Sequence, residues 1–193
     1  MQFDIKTYIR YFILLVLSLT LHVSASSGEN INVVRLSDHI PTNAISNSAL
    51  IGRLEASAPV SVTFILPLRN QEVLEDLLTR LYDPTDKLYG KYLTPEEFNE
   101  RFSPTEEDYN KVIAYAESQG LEITGTHSNR TLLKASAQTH VMEKTFSLTL
   151  DQYQTPSGRQ FHAPNNNPQV PTSIASVISG IVGLDNHAVW RSF

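Results

Sequence analysis

Cysteine is absent from this chain of 193 residues. That excludes thiol catalysis, disulfide staples and cysteine-zinc sites, so any stable fold must rest on apolar packing. Basic residues are also scarce. Fifteen Lys and Arg stand against 20 Asp and Glu, a net charge of −5, and no basic cluster occurs. A nucleic-acid partner is thereby argued against, because binding phosphate requires basic patches. The longest apolar run, Tyr11 to Leu21, is too short to span a bilayer comfortably as a permanent anchor. Catalytic patterns are missing as well. There is no Gly-x-Ser-x-Gly elbow and no His-Glu-x-x-His, and the six histidines are scattered singly. Gly180 to Gly183 has neither the spacing nor the lysine of a phosphate loop. Ser179 sits in an apolar stretch with no acidic or histidine neighbour, as a small packing residue would. No catalytic, cofactor-binding or metal-ligating residue is assigned.

What is present begins with a leader. Lys6 and Arg10 precede the apolar run, and Val23, Ser24 and Ala25 follow it. A positive segment, an apolar segment and a small-residue cleavage pattern predict a secretory signal peptide over residues 1–25, with an uncleaved signal anchor as the alternative. Its removal takes away Asp4, Lys6 and Arg10 and shifts the net charge to −6. The remainder is long enough for one domain with a real core and no disulfides.

Residues 26–58, rich in Ser, Asn and Ala, are predicted to be loosely held. Strict alternation from Val60 to Leu66 predicts a half-buried strand with Val60, Val62, Phe64 and Leu66 inward. A helix capped by Asn70 follows, with Val73, Leu74, Leu77, Leu78 and Leu81 at helical spacing. Further elements are a helix from Pro104 stopped at Gly120, strands over 121–127 and 131–135, a helix over 138–146, and a hairpin of 148–153 with 160–163. An apolar helix carrying Ile174, Val177, Ile178 and Ile181 closes the chain. This order predicts an α+β fold of ferredoxin-like topology, with helices on one face and extra helices in the first crossover. The strands near 60–66, 121–127, 131–135 and 148–153 would form its antiparallel sheet.

The stretch from Leu88 to Pro104 is the most structured in local signals. Thr94 and Glu97, with Pro95 between them, read as a capping box with proline at the first helical position. Ser103, Pro104 and Glu106 repeat that arrangement nine residues on. Phe98 and Phe102 share one helix face. Tyr89-Gly90-Lys91-Tyr92-Leu93 is too apolar for a solvated loop and must dock on the domain's own core or on a partner. The acidic pairs Glu96-Glu97 and Glu106-Glu107 suit the first turns of helices better than acid–base chemistry. Asn129-Arg130-Thr131 is the one Asn-x-Ser/Thr sequon. Asn129 is either a glycan acceptor or simply a turn residue.

Several of these segments, in this order, resemble the activation domain of the sedolisin-type serine-carboxyl peptidases, the pro-kumamolisin family. They are Tyr89 to Phe98 with Phe102-Ser103-Pro104, Ser118 to Leu121, Ser128 to Leu132, Val141 to Phe146, Tyr153 with Gly158 to Ala163, and Val170-Pro171 with Ile181 to Asp185. Asp86-Lys87 departs from the Ser-Pro often found before the tyrosine. The resemblance implies a non-catalytic prosegment over residues 59–186, with 187–193 the start of a linker or a truncated end. It implies a chaperone and inhibitor that covers a cognate peptidase domain until activation, in cis or in trans, and the excess of carboxylates predicts that release is driven by acid. The family's Ser-Glu-Asp set and its calcium site lie in a following domain. Partner-contact candidates are Tyr89, Gly90, Tyr92, Leu93, Phe98 and Phe102. The implied location is secreted, or a lysosomal or vacuolar lumen, with no membrane contact after signal cleavage. A secreted α+β binding module without catalysis is the competing expectation.

Overall fold

Alternation makes β3 (Pro59–Ile65) the strand on which the core is built: Val60, Val62 and Phe64 are buried while Ser61 is exposed. The computed structural model describes residues 32–188, so the leader and the last five residues lie outside the described region. β5 (Leu132–Gln138) pairs antiparallel with β3 over its full length, Val62 opposite Ala135 and Phe64 opposite Leu133. β4 (Glu122–Thr126) adds to β5, and β9 (Gly180–Val182) adds to the other side of β3. The four-stranded order is β4-β5-β3-β9.

Two helices cover one face of this sheet. Tyr109, Val112 and Ala116 of α4 (Glu106–Ser118) and Met142 and Phe146 of α5 (Thr139–Phe146) enter the same buried cluster as the inward residues of β3 and β5. The Phe64 and Phe146 rings meet at 6.2 Å. Tyr109 reaches past the core, its hydroxyl donating to Leu132 O at 2.8 Å and accepting from His127 N–H at 3.2 Å. It thereby clamps the β4–β5 turn. At the far end of α4, Gly120 N–H donates to Glu117 O at 2.9 Å and Leu121 N–H to Ala116 O at 3.0 Å. These are the paired bonds of a Schellman stop, with Leu121 buried behind them.

The α+β class and the ferredoxin-like strand order hold, but the fourth strand is a different segment. It is β9, which lies within the stretch predicted to be an apolar helix. Only α6 (Thr172–Ala175), a single turn, is helical there. A strand of three residues is too short to display a period of two, whereas Ile174, Val177, Ile178 and Ile181 happen to match the helical one. β6 (Leu150–Gln154) instead forms the centre of a separate sheet, between β2 (Ala49–Arg53) and β7 (Gln160–Pro164).

Residues 32–58 also correct the expectation of a loose entry. β1 (Val33–Arg35) pairs with β8 (Gln169–Pro171), and β2 pairs with β6 through a bulge beside Gly52. Between them α1 (Thr42–Ser46) packs Ala44 and Ile45 against the stacked Tyr153 and Phe161 rings. Every residue of β1 and β2 is exposed. No apolar alternation therefore marks them, and their partners lie far along the chain, Val34 opposite Val170 and Leu50 opposite Tyr153.

Candidate functional site

The Leu88–Pro104 stretch packs with α2 (Gln71–Tyr82) into a second, smaller core of its own. Leu77, Leu81 and Phe102 are buried there, and Leu74, Leu88, Leu93 and Phe98 pack around them. Val73 and Leu78, expected inward, are 51% and 46% exposed. The apolar arc of α2 is wider than so small a core can cover.

α3 (Pro95–Phe102) starts as its local chemistry dictates. Glu97 N–H donates to Thr94 Oγ1 at 3.2 Å, and Thr94 N–H donates to a Glu97 carboxylate oxygen at 2.8 Å. Both halves of the capping box are made, and a Thr cap of this kind stabilises by about 1 kcal/mol. The second start is displaced. The cap of α4 is Thr105, which accepts from Asp108 N–H at 3.0 Å. Ser103 is fully buried and donates to Asn99 Oδ1 at 2.9 Å. Phe102 draws Ser103 inside with it, leaving the next hydroxyl to cap.

The end of α3 is closed by residues that sequence reasoning missed. Arg69 donates from Nε to Ser103 O and from Nη2 to Glu100 O at 2.7 Å. Arg130 donates to Pro104 O at 2.7 Å and Asn70 to Arg101 O at 2.8 Å. Asn70 takes a left-handed conformation, makes no side-chain cap on α2 and serves α3 instead. Cations and donors at a helix C-terminus satisfy its orphan carbonyls and suit its dipole. Each of these contacts spans roughly thirty residues, beyond the reach of any local pattern.

The loop between α2 and α3 is held as firmly. Asp83 Oδ1 accepts from Thr85 N–H and Oγ1, and Asp86 Oδ1 accepts from Leu88 N–H at 2.7 Å. That N–H, and then the Arg80 guanidinium, hold the Asp86 carboxyl below its usual range. Asp86 thus organises the point where the sequence departs from Ser-Pro. Gly90, at φ 68°, turns its N–H back to Leu81 O at 3.1 Å.

A rigid frame therefore presents aromatic side chains outward. Tyr82, Tyr89 and Tyr92 are 68%, 54% and 65% exposed, and the Tyr82 and Tyr92 rings meet edge-on at 6.4 Å. Gly90 is exposed, while Leu93 and Phe98 are half-buried. Phe102 is 0% exposed, its ring 5.4 Å from Phe98, so it presents no surface to a partner. It belongs to the frame because α2 supplies the apolar wall that its helix lacks. Tyr82 was not singled out from the sequence. It reads there as the last residue of an amphipathic helix, and only the fold sets it beside Tyr92.

Other candidates have ordinary partners. Ser179 Oγ donates to Ile65 O at 3.2 Å. Asn129 lies on the exposed turn between β4 and β5, its Oδ1 accepting from Thr131 Oγ1 at 2.9 Å. Among the described residues no group of three or more His, Asp or Glu side chains converges in a geometry that would hold a metal ion. No helix among them is long and apolar enough to cross a membrane.

Comparison with known proteins places this arrangement. Residues 46–187 match the family model described as "Pro-kumamolisin, activation domain". Xanthomonalisin of Xanthomonas sp. (strain T-22) is 31% identical over 143 residues, 74% of this chain and 17% of its own length. Sedolisin of Pseudomonas sp. (strain 101) is 26% identical over 140 residues, 72% of this chain and 24% of its own. Tripeptidyl-peptidase 1 of Mus musculus is 40% identical over a shorter 55 residues, 28% of this chain and 10% of its own. The chain thus spans less than a quarter of the length of these relatives.

Proposed function

This chain belongs to the pro-kumamolisin activation-domain family, and on that premise we propose that it acts as a prosegment, chaperoning and masking a sedolisin-type peptidase domain. The domain itself makes or breaks no covalent bond. By binding the folded peptidase and not its unfolded chain, it stabilises the folded form by mass action, in cis or in trans. The same contact keeps substrate out of the cleft. The reading is carried by one observation: Tyr82, Tyr89 and Tyr92 are exposed on a frame pinned by the Asp86 turn, the Gly90 bond to Leu81 and the Thr94–Glu97 capping box. Exposed aromatics on a rigid support are the anchors that protein interfaces use, because little side-chain entropy is lost on docking. Gly90, Leu93 and Phe98 flank them. Phe102 acts from below by holding the frame.

The full chain is expected to give slow, tight, saturable inhibition of a sedolisin-type peptidase. Replacing Tyr89 and Tyr92 together by Ser should weaken that inhibition by about a hundredfold, taking about tenfold for each anchor. The melting temperature should scarcely move, since both side chains are exposed. Full inhibition by the double variant would remove the tyrosines from the interface. No inhibition by the parent chain would end the reading.

Release is acid-driven. The chain carries more carboxylates than cations, and those that pair with basic groups on the peptidase have depressed pKa values in the complex. Their contribution is present above the free value of about 4 and is lost as pH falls through the depressed one. Inhibition should therefore be far weaker at pH 3.5 than at pH 7, and equal strength at both would refute the electrostatic route. The setting is the secretory route, extracellular or in a lysosomal or vacuolar lumen. Asn129 is its glycan acceptor in a eukaryotic host, where Asn129→Gln should lower the mass by one glycan. An unchanged mass would leave Asn129 as a turn residue.

A further inference from the structure

The stretch from Asn32 to Pro59 contains no buried residue, although β1, α1 and β2 all lie in it. What it covers is the opposite. Tyr153, Phe161 and Ala163 form a buried cluster, and among the described residues Ala44 and Ile45 of α1 are the partly buried apolar side chains packed against it. On the sheet edge beside them, β2 is the strand that closes β6. An exposed stretch therefore lies over an apolar face and along a strand edge.

Polar bonds hold its two ends. Thr172 donates to Asn32 O from its N–H at 2.8 Å and from Oγ1 at 2.9 Å, and Arg35 donates to Asn167 O at 3.0 Å. At the other end Arg53 Nη2 reaches both Glu143 carboxylate oxygens at 2.7 Å, and one of these also accepts Leu150 N–H at 2.8 Å. Solvent-facing bonds of this kind contribute little net stability, because water replaces them once they part. The root of the stretch is held differently. Ala58 O accepts from Thr139 N–H at 2.9 Å and Oγ1 at 3.0 Å, and Ala56 O accepts His140 N–H at 3.1 Å. Thr139 is buried, so residues 56–58 are fixed to the start of α5 and any opening hinges before them.

We propose that residues 32–54 are a strap that lifts as one unit about Glu55, and that the site it leaves takes an extended apolar segment of another polypeptide. Lifting bares the β6 edge that β2 occupies and the aromatic face that α1 covers. A free strand edge beside an apolar face accepts an added strand: backbone bonds supply affinity, and the face selects apolar side chains. The strap itself shows what fits. Ala44 and Ile45 sit on the aromatic face, Ala49 to Arg53 run along β6, and no charged residue occurs from Ile40 to Gly52. The strap is thus an internal competitor, and the apparent affinity for an incoming segment is reduced by the fraction of time it is open. This is a property of the chain alone and stands or falls apart from the peptidase reading.

Amide hydrogen exchange on the full chain, together with binding of a labelled synthetic peptide of residues 42–54, tests both parts. Leu36 N–H lies on the strap and donates to Pro168 O, whereas Thr172 N–H lies on the body and donates to Asn32 O. Both should exchange through one opening and be about a hundredfold less protected than Phe64 and Leu133. Ile45→Asp sets a carboxylate against Tyr153 and Phe161. It should speed Leu36 and Thr172 by a further factor of about ten and leave Phe64 and Leu133 within about twofold. The peptide should bind this variant at least about tenfold more tightly than the parent. Arg53→Gln breaks the bond to Glu143 without touching the aromatic face, and should move both readouts in the same direction. Leu36 and Thr172 as protected as Leu133 would overturn the strap, and so would an Ile45→Asp chain that unfolds throughout. No peptide binding to either variant, or equal binding to the parent and Ile45→Asp, would overturn the acceptor site.

Discussion

Gly183→Ala is expected to strip the C-terminal strand from the sheet. A Cβ at this position would lie 2.3 Å from Ser61 O and 3.2 Å from Val62 Cα. Both atoms are backbone of β3, the central strand, so no side-chain rotation relieves the clash. The glycine also sits at φ +100°, where an L side chain is strained whatever the space. Overpacking and backbone strain together predict a loss of at least about 3 kcal/mol, a large share of a typical domain's stability. Gly90→Ala is the internal control. Its φ of +68° is also positive, but nothing lies within 4 Å of the added carbon. Only the left-handed strain applies there, about 1 kcal/mol. Urea denaturation of the three proteins separates the effects. Equal losses for the two alanines would show that the close approach of Gly183 to β3 does not matter. A larger loss at Gly183 should carry loss of protection at Ile181, because Gly183 directly follows β9 and lies against the β3 backbone.

How far the sequence disclosed this architecture depends on the distance over which each signal acts. Thr94, Pro95 and Glu97 decide their helix start within four residues, and the start is where they put it. The alternation of β3 is equally local, and Val60, Val62, Phe64 and Leu66 are all buried. β1 and β2 escaped notice because neither has a buried residue, so their strand character lies wholly in hydrogen bonds to distant partners. β9 escaped because three residues carry no period. In the candidate site, the apolar loop was legible from composition alone. Its division into frame and face was not, since α2 decides which aromatics are covered. Leu77 and Leu81 bury Phe102, and the same helix ends in Tyr82, which adds to the exposed face. Arg69 and Arg130 were invisible as helix caps, because a guanidinium chooses its carbonyls only after the chain has folded.

Phe102→Ala is expected to be the most damaging single truncation in the smaller core. The ring is 0% exposed, packs on Leu77, Leu81 and Phe98, and lies 5.0 Å beneath the Arg101 guanidinium. Removing a buried phenyl ring typically costs about 3–5 kcal/mol, part of it from the cavity that stays open. Phe98 is half-buried, so Phe98→Ala should cost about half as much. The small core is not independent of the large one. Arg69 N–H donates to Phe102 O at 2.7 Å directly after β3, and Arg130 ties Pro104 O to the start of β5. Loss of the ring should therefore lower a single cooperative transition and not create a second one. Circular dichroism and tyrosine fluorescence followed through the same urea titration should give one midpoint, shifted down in both signals. Two separated midpoints would mean that the arginine ties do not couple the cores. A Phe102→Ala loss no greater than that of Phe98→Ala would mean that the ring does not hold the frame, and the tyrosines would then lack the rigid support that makes them usable as anchors.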